Sequence, residues 1–361
     1  ASTDYGRSAP TGAINMVTKQ PSLTDSFGAS LGAGSGSYKR STVDWNKSLT
    51  GMGGAAFRLN AMVQDAGVAG RDRVANDRWG IAPSFAFGLN TDTRTYLNVL
   101  HVKQSNVPDG GVPTIGLPGY SNTDARLNAG RPVDPSRFYG TSADHDDVTA
   151  DMVTLRVEHD FTPDTTLSLA AKVGHVADVW ESNDSASVSA GVSHVFSPKL
   201  SGSVALAYEY SEGADTRRPF LYRNLSLPIG ATWDNRDSST NATKGIYVDA
   251  EAKPFYGLGT TDSGVRLTVD ARGYRGFGEG RFVLAGRVQA GAIYGAELLN
   301  TPRDFLFYSG GGGTVRGQPY QSLGVNVLRA ITDDYRTGGS FFLGTSLEAR
   351  VKVSRKMGLV G

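Results

Sequence analysis

Arg316 is the side chain in this sequence best suited to directed recognition. It lies in the run Gly310-Gly311-Gly312-Gly313-Thr314-Val315-Arg316-Gly317-Gln318-Pro319-Tyr320. Successive glycines tolerate positive φ and let backbone approach other groups closely. The guanidinium that follows offers a planar fork to a carboxylate; a solvated arginine is the plainer reading. A second set, Tyr120, Arg131, Arg137, Phe138 and Tyr139, combines aromatic rings with guanidinium groups. That combination suits an anionic, aromatic ligand, and ordinary loop packing stays open as the alternative. The histidines His101, His145, His159, His175 and His194 do not recur at metal-ligand spacing. His145-Asp146-Asp147 reads as a polar turn. No Gly-x-Ser-x-Gly, Walker or dinucleotide fingerprint occurs. No catalytic residue, metal or cofactor is expected, and the chain is not expected to be an enzyme.

The elements that must hold these residues are strands. Phe57, Leu59, Ala61 and Val63 alternate with Arg58, Asn60, Met62 and Gln64. Val153, Leu155 and Val157 alternate with Thr154, Arg156 and Glu158. Val265, Leu267, Val269 and Ala271 alternate with Arg266, Thr268, Asp270 and Arg272. Leu347, Ala349, Val351 and Val353 alternate with Glu348, Arg350, Lys352 and Ser354. A period of two puts one apolar and one polar face on each segment. Roughly fourteen such segments are expected, and no helical period long enough for a core helix. The class is all-β.

Several segments run to about ten residues or more, the length that crosses a bilayer at a tilt. Thr149 to Phe161 and Ser340 to Ser354 are examples. Two long connections, about Ser105 to Asp147 and about Glu297 to Gly338, contrast with short turns at Thr162-Pro163-Asp164 and Ser197-Pro198-Lys199. That asymmetry is the outer-membrane barrel pattern. A transmembrane antiparallel β-barrel is therefore expected, with a soluble β-sandwich binding module as the bland alternative. Lys plus Arg is 36 and Asp plus Glu is 35, a net charge of +1. No basic field for nucleic acid follows from that balance. Cysteine is absent, so there is no thiol or disulfide chemistry. No apolar run reaches the length of a membrane-spanning helix.

Two family resemblances divide the chain. Asp4-Tyr5-Gly6-Arg7-Ser8-Ala9-Pro10-Thr11-Gly12-Ala13-Ile14-Asn15-Met16-Val17-Thr18-Lys19 resembles the end of the plug of a TonB-dependent siderophore receptor. The resemblance continues through Gly34-Ser35-Gly36-Ser37-Tyr38-Lys39-Arg40 and Phe57-Arg58-Leu59-Asn60. It extends to Arg78-Trp79-Gly80-Ile81-Ala82-Pro83-Ser84 and Asn106-Val107-Pro108-Asp109-Gly110-Gly111-Val112-Pro113. The last two are most like the catecholate-type receptors. The remainder resembles the TamA/BamA outer-membrane assembly barrels, the bacterial surface antigen family. Trp233-Asp234-Asn235-Arg236-Asp237 with Lys244-Gly245, the Val-Arg-Gly-aromatic loop, and Ser346-Leu347-Glu348-Ala349-Arg350 carry that likeness in order. Ala242 stands where proline is usual.

The resemblances imply three segments: residues 1–21 as the end of a plug, 22–175 as receptor-like barrel strands, and 176–361 as assembly-barrel strands. The chain is expected to reside in the bacterial outer membrane, in contact with its lipid. It reads as an apparent fusion or chimera of two incomplete parts. Ferric-siderophore uptake is the leading function, with the ferric siderophore as partner. TonB is not expected as a partner, its box being missing from 1–361. Outer-membrane protein assembly by the second part is the alternative. In the assembly family the loop arginine enters the lumen and pairs with a wall carboxylate. That acid lies on a strand just beyond Val360-Gly361, which leaves Glu348 as the best partner for Arg316, with Val315, Gly317 and Tyr320 framing it. Arg7, Arg40 and Arg58 are expected to face the lumen and pair with barrel carboxylates.

Overall fold

The computed structural model describes residues 19–49, 51–111, 134–178, 182–214, 219–278, 280–310, 324–330, 333–353 and 358–360. The first strands are β1 (Ser26–Ala33), β2 (Lys39–Leu49), β3 (Ala55–Asp65), β4 (Ala75–Phe87) and β5 (Thr93–Val107). Then come β6 (Asp146–Thr162), β7 (Thr165–Ala177), β8 (Ser182–Ser197), β9 (Leu200–Ala214), β10 (Pro219–Ser226) and β11 (Ile229–Asp234). The last are β12 (Gly245–Gly257), β13 (Gly264–Phe277), β14 (Phe282–Tyr294), β15 (Val325–Ala330), β16 (Asp333–Thr337), β17 (Phe341–Lys352) and β18 (Gly358–Val360). A 3₁₀ turn at Arg303–Phe305 is the only helical element among the described residues. No helix there is long and apolar enough to cross a membrane.

Sixteen strands make one antiparallel sheet that follows chain order, except that β10 meets β12 and β14 meets β17. β10 and β11 are two parts of one position, since both pair with β9 and β12. The break falls at Leu227-Pro228. Pro228 has no N–H to give. Its carbonyl still accepts from the Ala205 amide at 3.0 Å, and the Leu227 amide donates to the Pro254 carbonyl at 2.9 Å. The ladder passes the proline without losing its register. The sheet is thus fifteen positions wide, close to the expected fourteen. β15 and β16 form a separate hairpin inside the connection from β14 to β17.

One continuous sheet is not a sandwich, so the soluble alternative does not hold. The strands are also long: 17 residues in β6, 16 in β8 and 15 in β5 and β9. A bilayer crossing needs only about 9–11. Alternation assigns the faces. In β17, Leu347 is 91% exposed while Glu348 beside it is 3% exposed. Leu343, Leu206, Val188, Val173 and Leu169 share the outward face with Leu347 and are all exposed. Such a run of uncovered aliphatic side chains is costly in water and natural in lipid. The opposite face carries Asp44, Arg58, Arg94, Glu158, Glu209, Lys253, Asp270 and Glu348, and is the lumen wall.

The connections sort by end. Pro163-Asp164 and Pro198-Lys199 close tight turns at one end, where residues 51–54 and 88–92 also lie. Residues 108–145 and 295–340 both leave from the other end. Adjacent short turns touch. Gly54 has φ 77°, and a Cβ there would stand 2.4 Å from the Leu89 carbonyl oxygen. The Leu89 amide donates to the Gly54 carbonyl at 2.9 Å, so only glycine fits this contact.

Trp45, Trp79 and Trp233 lie on the outward face, each more than a third exposed. Single-tryptophan variants in vesicles of brominated phospholipid are expected to be quenched at all three positions. Emission equal to that in unbrominated vesicles would contradict the membrane-facing assignment.

Candidate functional site

The polar face of period-two strands becomes a connected set of ion pairs when the sheet forms. Asp270 on β13 accepts from Arg272 (Nη2 at 2.8 Å) and from Arg287 on β14 (Nη2 at 2.6 Å). Arg272 also stands 4.9 Å from the ring centre of Tyr247 on β12, and Arg236 stands 4.7 Å from the same ring. Arg236 is bidentate on Asp234 at 2.9 and 2.7 Å. These pairs follow from register: Asp249 opposes Asp270, Tyr247 opposes Arg272, and Arg272 opposes Arg287.

The Asp-x-Arg-Asp turn between β11 and β12 folds over the lumen. Asp237 accepts from the Thr243 hydroxyl at 2.5 Å, the Thr243 amide at 2.9 Å and the Lys244 amide at 3.2 Å. Arg350 on β17 reaches across β13 and β14 to the Ala242 carbonyl at 3.2 Å. Glu348, buried on the lumen face, takes the Nε of Arg350. Arg350 also lies over Tyr274 at 5.6 Å. The turn is therefore held to the far strand by a carboxylate-oriented arginine.

The limb of the long connection that follows β14 enters the lumen. Phe305 and Leu306 are buried with Phe255 and Ile293. Lys253 stands 4.1 Å from the ring centre of Phe305, Arg266 stands 4.8 Å from that of Phe307, and Arg303 stands 4.3 Å from that of Phe220. Arg266 Nε donates to the Phe305 carbonyl at 2.9 Å. Lys253 is held by Glu209 at 2.8 Å, which also takes Asn224 and Ser226. Cation–π contacts in a part-dry lumen are worth about 0.5–2 kcal/mol each. A cavity of about 210 Å³ remains between this limb and the wall, lined by Lys172, Ser187, Glu209, Asn224 and Asp304.

In the first half, residues 19–24 lie on the lumen side of β2 and β3. The buried amide of Asn46 donates to the Ser22 and Thr24 carbonyls and accepts from the Ser22 amide. Arg58 is bidentate on Asp44 at 2.8 and 2.7 Å and gives its remaining nitrogen to the Gln20 carbonyl at 3.0 Å. The expected arginine–carboxylate pair thus exists for Arg58. Arg40 reaches the amide oxygen of Gln64 at 3.2 Å instead of a carboxylate. Arg7 lies outside the described residues.

At the long-loop end, one short turn binds both limbs of the connection 108–145. Arg71 donates to Asp109 at 2.5 Å, to the Gly111 carbonyl at 3.1 Å and to the Pro135 carbonyl at 2.5 Å. The Asp72 amide donates to the Ser136 carbonyl at 2.7 Å. Arg73, with φ 60°, stands 5.9 Å from the ring centre of Phe138. Phe138, Arg137 and Tyr139 therefore sit together on the returning limb beside Arg71 and Arg73. Tyr120 and Arg131 lie outside the described residues, as do Val315, Arg316, Gly317 and Tyr320. The histidines are dispersed, each with its own partner: His101 with Asp151, His175 with Asp184, His159 with Thr93, His194 with Thr165 and His145 with the Ala143 carbonyl.

Arg71, Arg272, Arg287 and Arg350 were not singled out by sequence reasoning. Alternation does place the last three on the polar face, but it names no partner across strands. Arg71 stands in a short turn with no motif, and only the chain's return brings residues 109 and 135 to it.

Sheet, lumen and loop asymmetry together define an outer-membrane β-barrel protein. The Omp85 superfamily domain matches residues 121–360, more than half of the sequence. The chain belongs to the Omp85 superfamily. It is also 52% identical over 168 residues to the catecholate siderophore receptor Fiu of Escherichia coli K12, covering 46% of this chain and 22% of the relative. The match to that relative spans about a fifth of its length. The probable TonB-dependent siderophore receptor PiuA of Acinetobacter baumannii is 31% identical over 175 residues, again 22% of its length. Among solved structures, the closed form of the ferric-catecholate import receptor Fiu from E. coli K12 aligns with a TM-score of 0.56 at 22% identity. That alignment covers 98% of this chain and 66% of that one. BamA from Haemophilus ducreyi lacking POTRA domains 1–3 aligns with a TM-score of 0.54 at 13% identity, covering 93% and 60%. Both sequence resemblances thus have counterparts, and the relatives place the chain in the bacterial outer membrane. The two sequence relatives named are siderophore receptors.

The turn that carries Asp237 supplies a pH test. Its hydrogen bonds, the Thr243 hydroxyl first, lower the carboxyl from 3.8 to about 2. A depressed carboxyl stabilises the fold above its unfolded value and loses that contribution as pH falls through the folded value. Protection of the Thr243 and Lys244 amides is expected to be flat above pH 3.8 and to fall between there and about 2. Hydrogen exchange across that range checks it, and Asp237→Asn should remove the pH step.

Proposed function

We propose that the chain acts as an outer-membrane receptor face for a ferric siderophore of the catecholate class. The identity of 52% to a catecholate siderophore receptor is the observation that carries this reading. Residues 1–21 would be the end of a plug, 22–175 receptor strands and 176–361 assembly-barrel strands. The Arg71–Arg73 turn, with Arg137, Phe138 and Tyr139 on the facing limb, supports ligand recognition at the long-loop end. A ferric catecholate is anionic and aromatic, and guanidinium groups beside rings match both properties. Tyr120 and Arg131 belong to the same proposed set. The purified chain in detergent should bind the ferric complex of 2,3-dihydroxybenzoate, with quenching of tryptophan emission. Arg137→Ala with Phe138→Ala should weaken it about tenfold, about 1.4 kcal/mol. No saturable quenching in the parent chain would end the receptor reading.

Membership of the Omp85 superfamily and the inward limb at Phe305 favour a second reading, handling of outer-membrane protein substrates. In that reading Arg316 lies in the lumen and shares Glu348 with Arg350. Arg316→Ala and Glu348→Gln should each raise proteolysis between Gly310 and Tyr320, and the double change should be little worse than either. Strictly additive effects would show two independent residues.

A further inference from the structure

The contact between Arg71 and Asp109 uses only part of what the arginine offers. A guanidinium binds a two-oxygen anion best along the edge formed by Nε and one terminal nitrogen. In Arg71 the terminal nitrogen of that edge, Nη2, holds one oxygen of Asp109 at 2.5 Å. Nε is buried and has no acceptor among the described residues. The other terminal nitrogen is occupied by the Pro135 carbonyl. The arginine side chain is 10% exposed and the Asp109 side chain 38%. The anion in place is therefore the accessible partner, and the cation is the buried, prepositioned one.

Asp109 has its own second tie. The oxygen that meets Arg71 also accepts from the Gly111 amide at 2.9 Å. Arg71 keeps the Gly111 and Pro135 carbonyls without it. Removal of the carboxylate thus leaves both limbs attached to the turn. Arg73 lies over Phe138 on the returning limb, and Asp72 in the turn and Asp134 on that limb are nearby acids in sequence. Asp134 is committed to the Ser136 amide and hydroxyl at 2.9 and 2.6 Å.

We infer that Asp109 is an internal stand-in for a ligand anion on Arg71, and that a chelating two-oxygen anion displaces it to occupy the Nε–Nη2 edge. The ligand's deprotonated oxygens would supply the acceptor that Nε lacks. Arg71 lowers the carboxyl of Asp109 below 3.8, so the stand-in is ionised and competes at neutral pH. This deepens the receptor reading and rests on it for the identity of the natural anion. The anion site itself rests only on the geometry.

The test uses the full chain in detergent with two probes, inorganic phosphate and the ferric complex of 2,3-dihydroxybenzoate. Asp109→Asn keeps the shape and, through its amide oxygen, the bond from the Gly111 amide. It should tighten the ferric complex about tenfold and gain saturable phosphate binding by calorimetry. Asp109→Asn combined with Arg71→Gln should lose the phosphate site. Phosphate gained and lost in this way upholds the inference even where no chain binds the ferric complex, which would then end only the receptor reading. No gain of either anion in Asp109→Asn overturns it, and binding of the ferric complex by the parent chain would leave the receptor reading standing. Should Asp109→Asn lose its β-sheet circular dichroism, Arg71→Lys keeps the charge without the two-pronged edge. Affinity for the ferric complex in that variant equal to the parent's would likewise overturn the inference, and weakened or lost affinity would uphold it.

Discussion

Main-chain hydrogen bonding across neighbouring strands is the constraint on which everything else here depends. Inside a bilayer no water can satisfy an N–H or C=O group, and each one left unpaired costs several kcal/mol. The antiparallel ladder runs from β1 to β18 and bridges even Pro228 through carbonyls of its own and the neighbouring strands. Once the backbone is satisfied, side chains have only two directions. The outward ones are apolar because lipid surrounds them. The inward ones are free to be charged because the lumen can be wet. The ion pairs of the lumen are thus consequences of the ladder, and their identities follow from its register.

The fold was legible in the residues for that reason. Val265 to Arg272 and Leu347 to Arg350 alternate without exception, and the structure places them on opposite faces as the period requires. Glu348, Arg350, Asp270 and Arg272 all face inward. Register was not legible. No local pattern says that Tyr247 will meet both Arg236 and Arg272, or that Arg350 will reach the Ala242 carbonyl past two intervening strands. Arg71 is the sharper case. Its neighbours Gly70 and Asp72 signal a turn and nothing more, and its partners at 109, 111 and 135 are far along the chain. The Arg58–Asp44 pair was accessible to reasoning because both residues lie on adjacent polar faces. Arg40 shows the limit of that logic, since on the same lumen face it opposes Gln64, and an amide takes the guanidinium.

Lumen electrostatics also explain why the long connections can fold where they do. The inward limb brings Phe305 and Phe307 against a charged wall. Bare lysine and arginine would resist dry packing. Lys253 and Arg266 instead present their charge to ring faces and keep acceptors in Glu209 and the Phe305 carbonyl. The same device recurs with Arg303 over Phe220 and Arg73 over Phe138. Aromatic rings thus act as the interface material between loop and wall, apolar enough to exclude water and polar enough to accept cations.

Two likenesses coexist in one sheet for a physical reason. The proposed boundary near residue 175 falls within β7, and β7 pairs with β6 and β8 along both edges. Ladder bonds are made by main chain, so they do not depend on which family's side chains a strand carries. What must agree is parity: apolar residues outward at the same rows. Leu155 opposes Ala171, Leu169 opposes Ala190, and Val188 opposes Tyr208, all on the outward face. Parity therefore continues unbroken from β6 to β9. The lumen side changes character there, from the Arg94–Asp160 and Arg58–Asp44 pairs to a serine-rich wall on β8. Beyond it the charged network of β12 to β17 begins. A wall of small hydroxyl side chains separates two charged sectors and asks little of either, which lets each keep its own internal pairing.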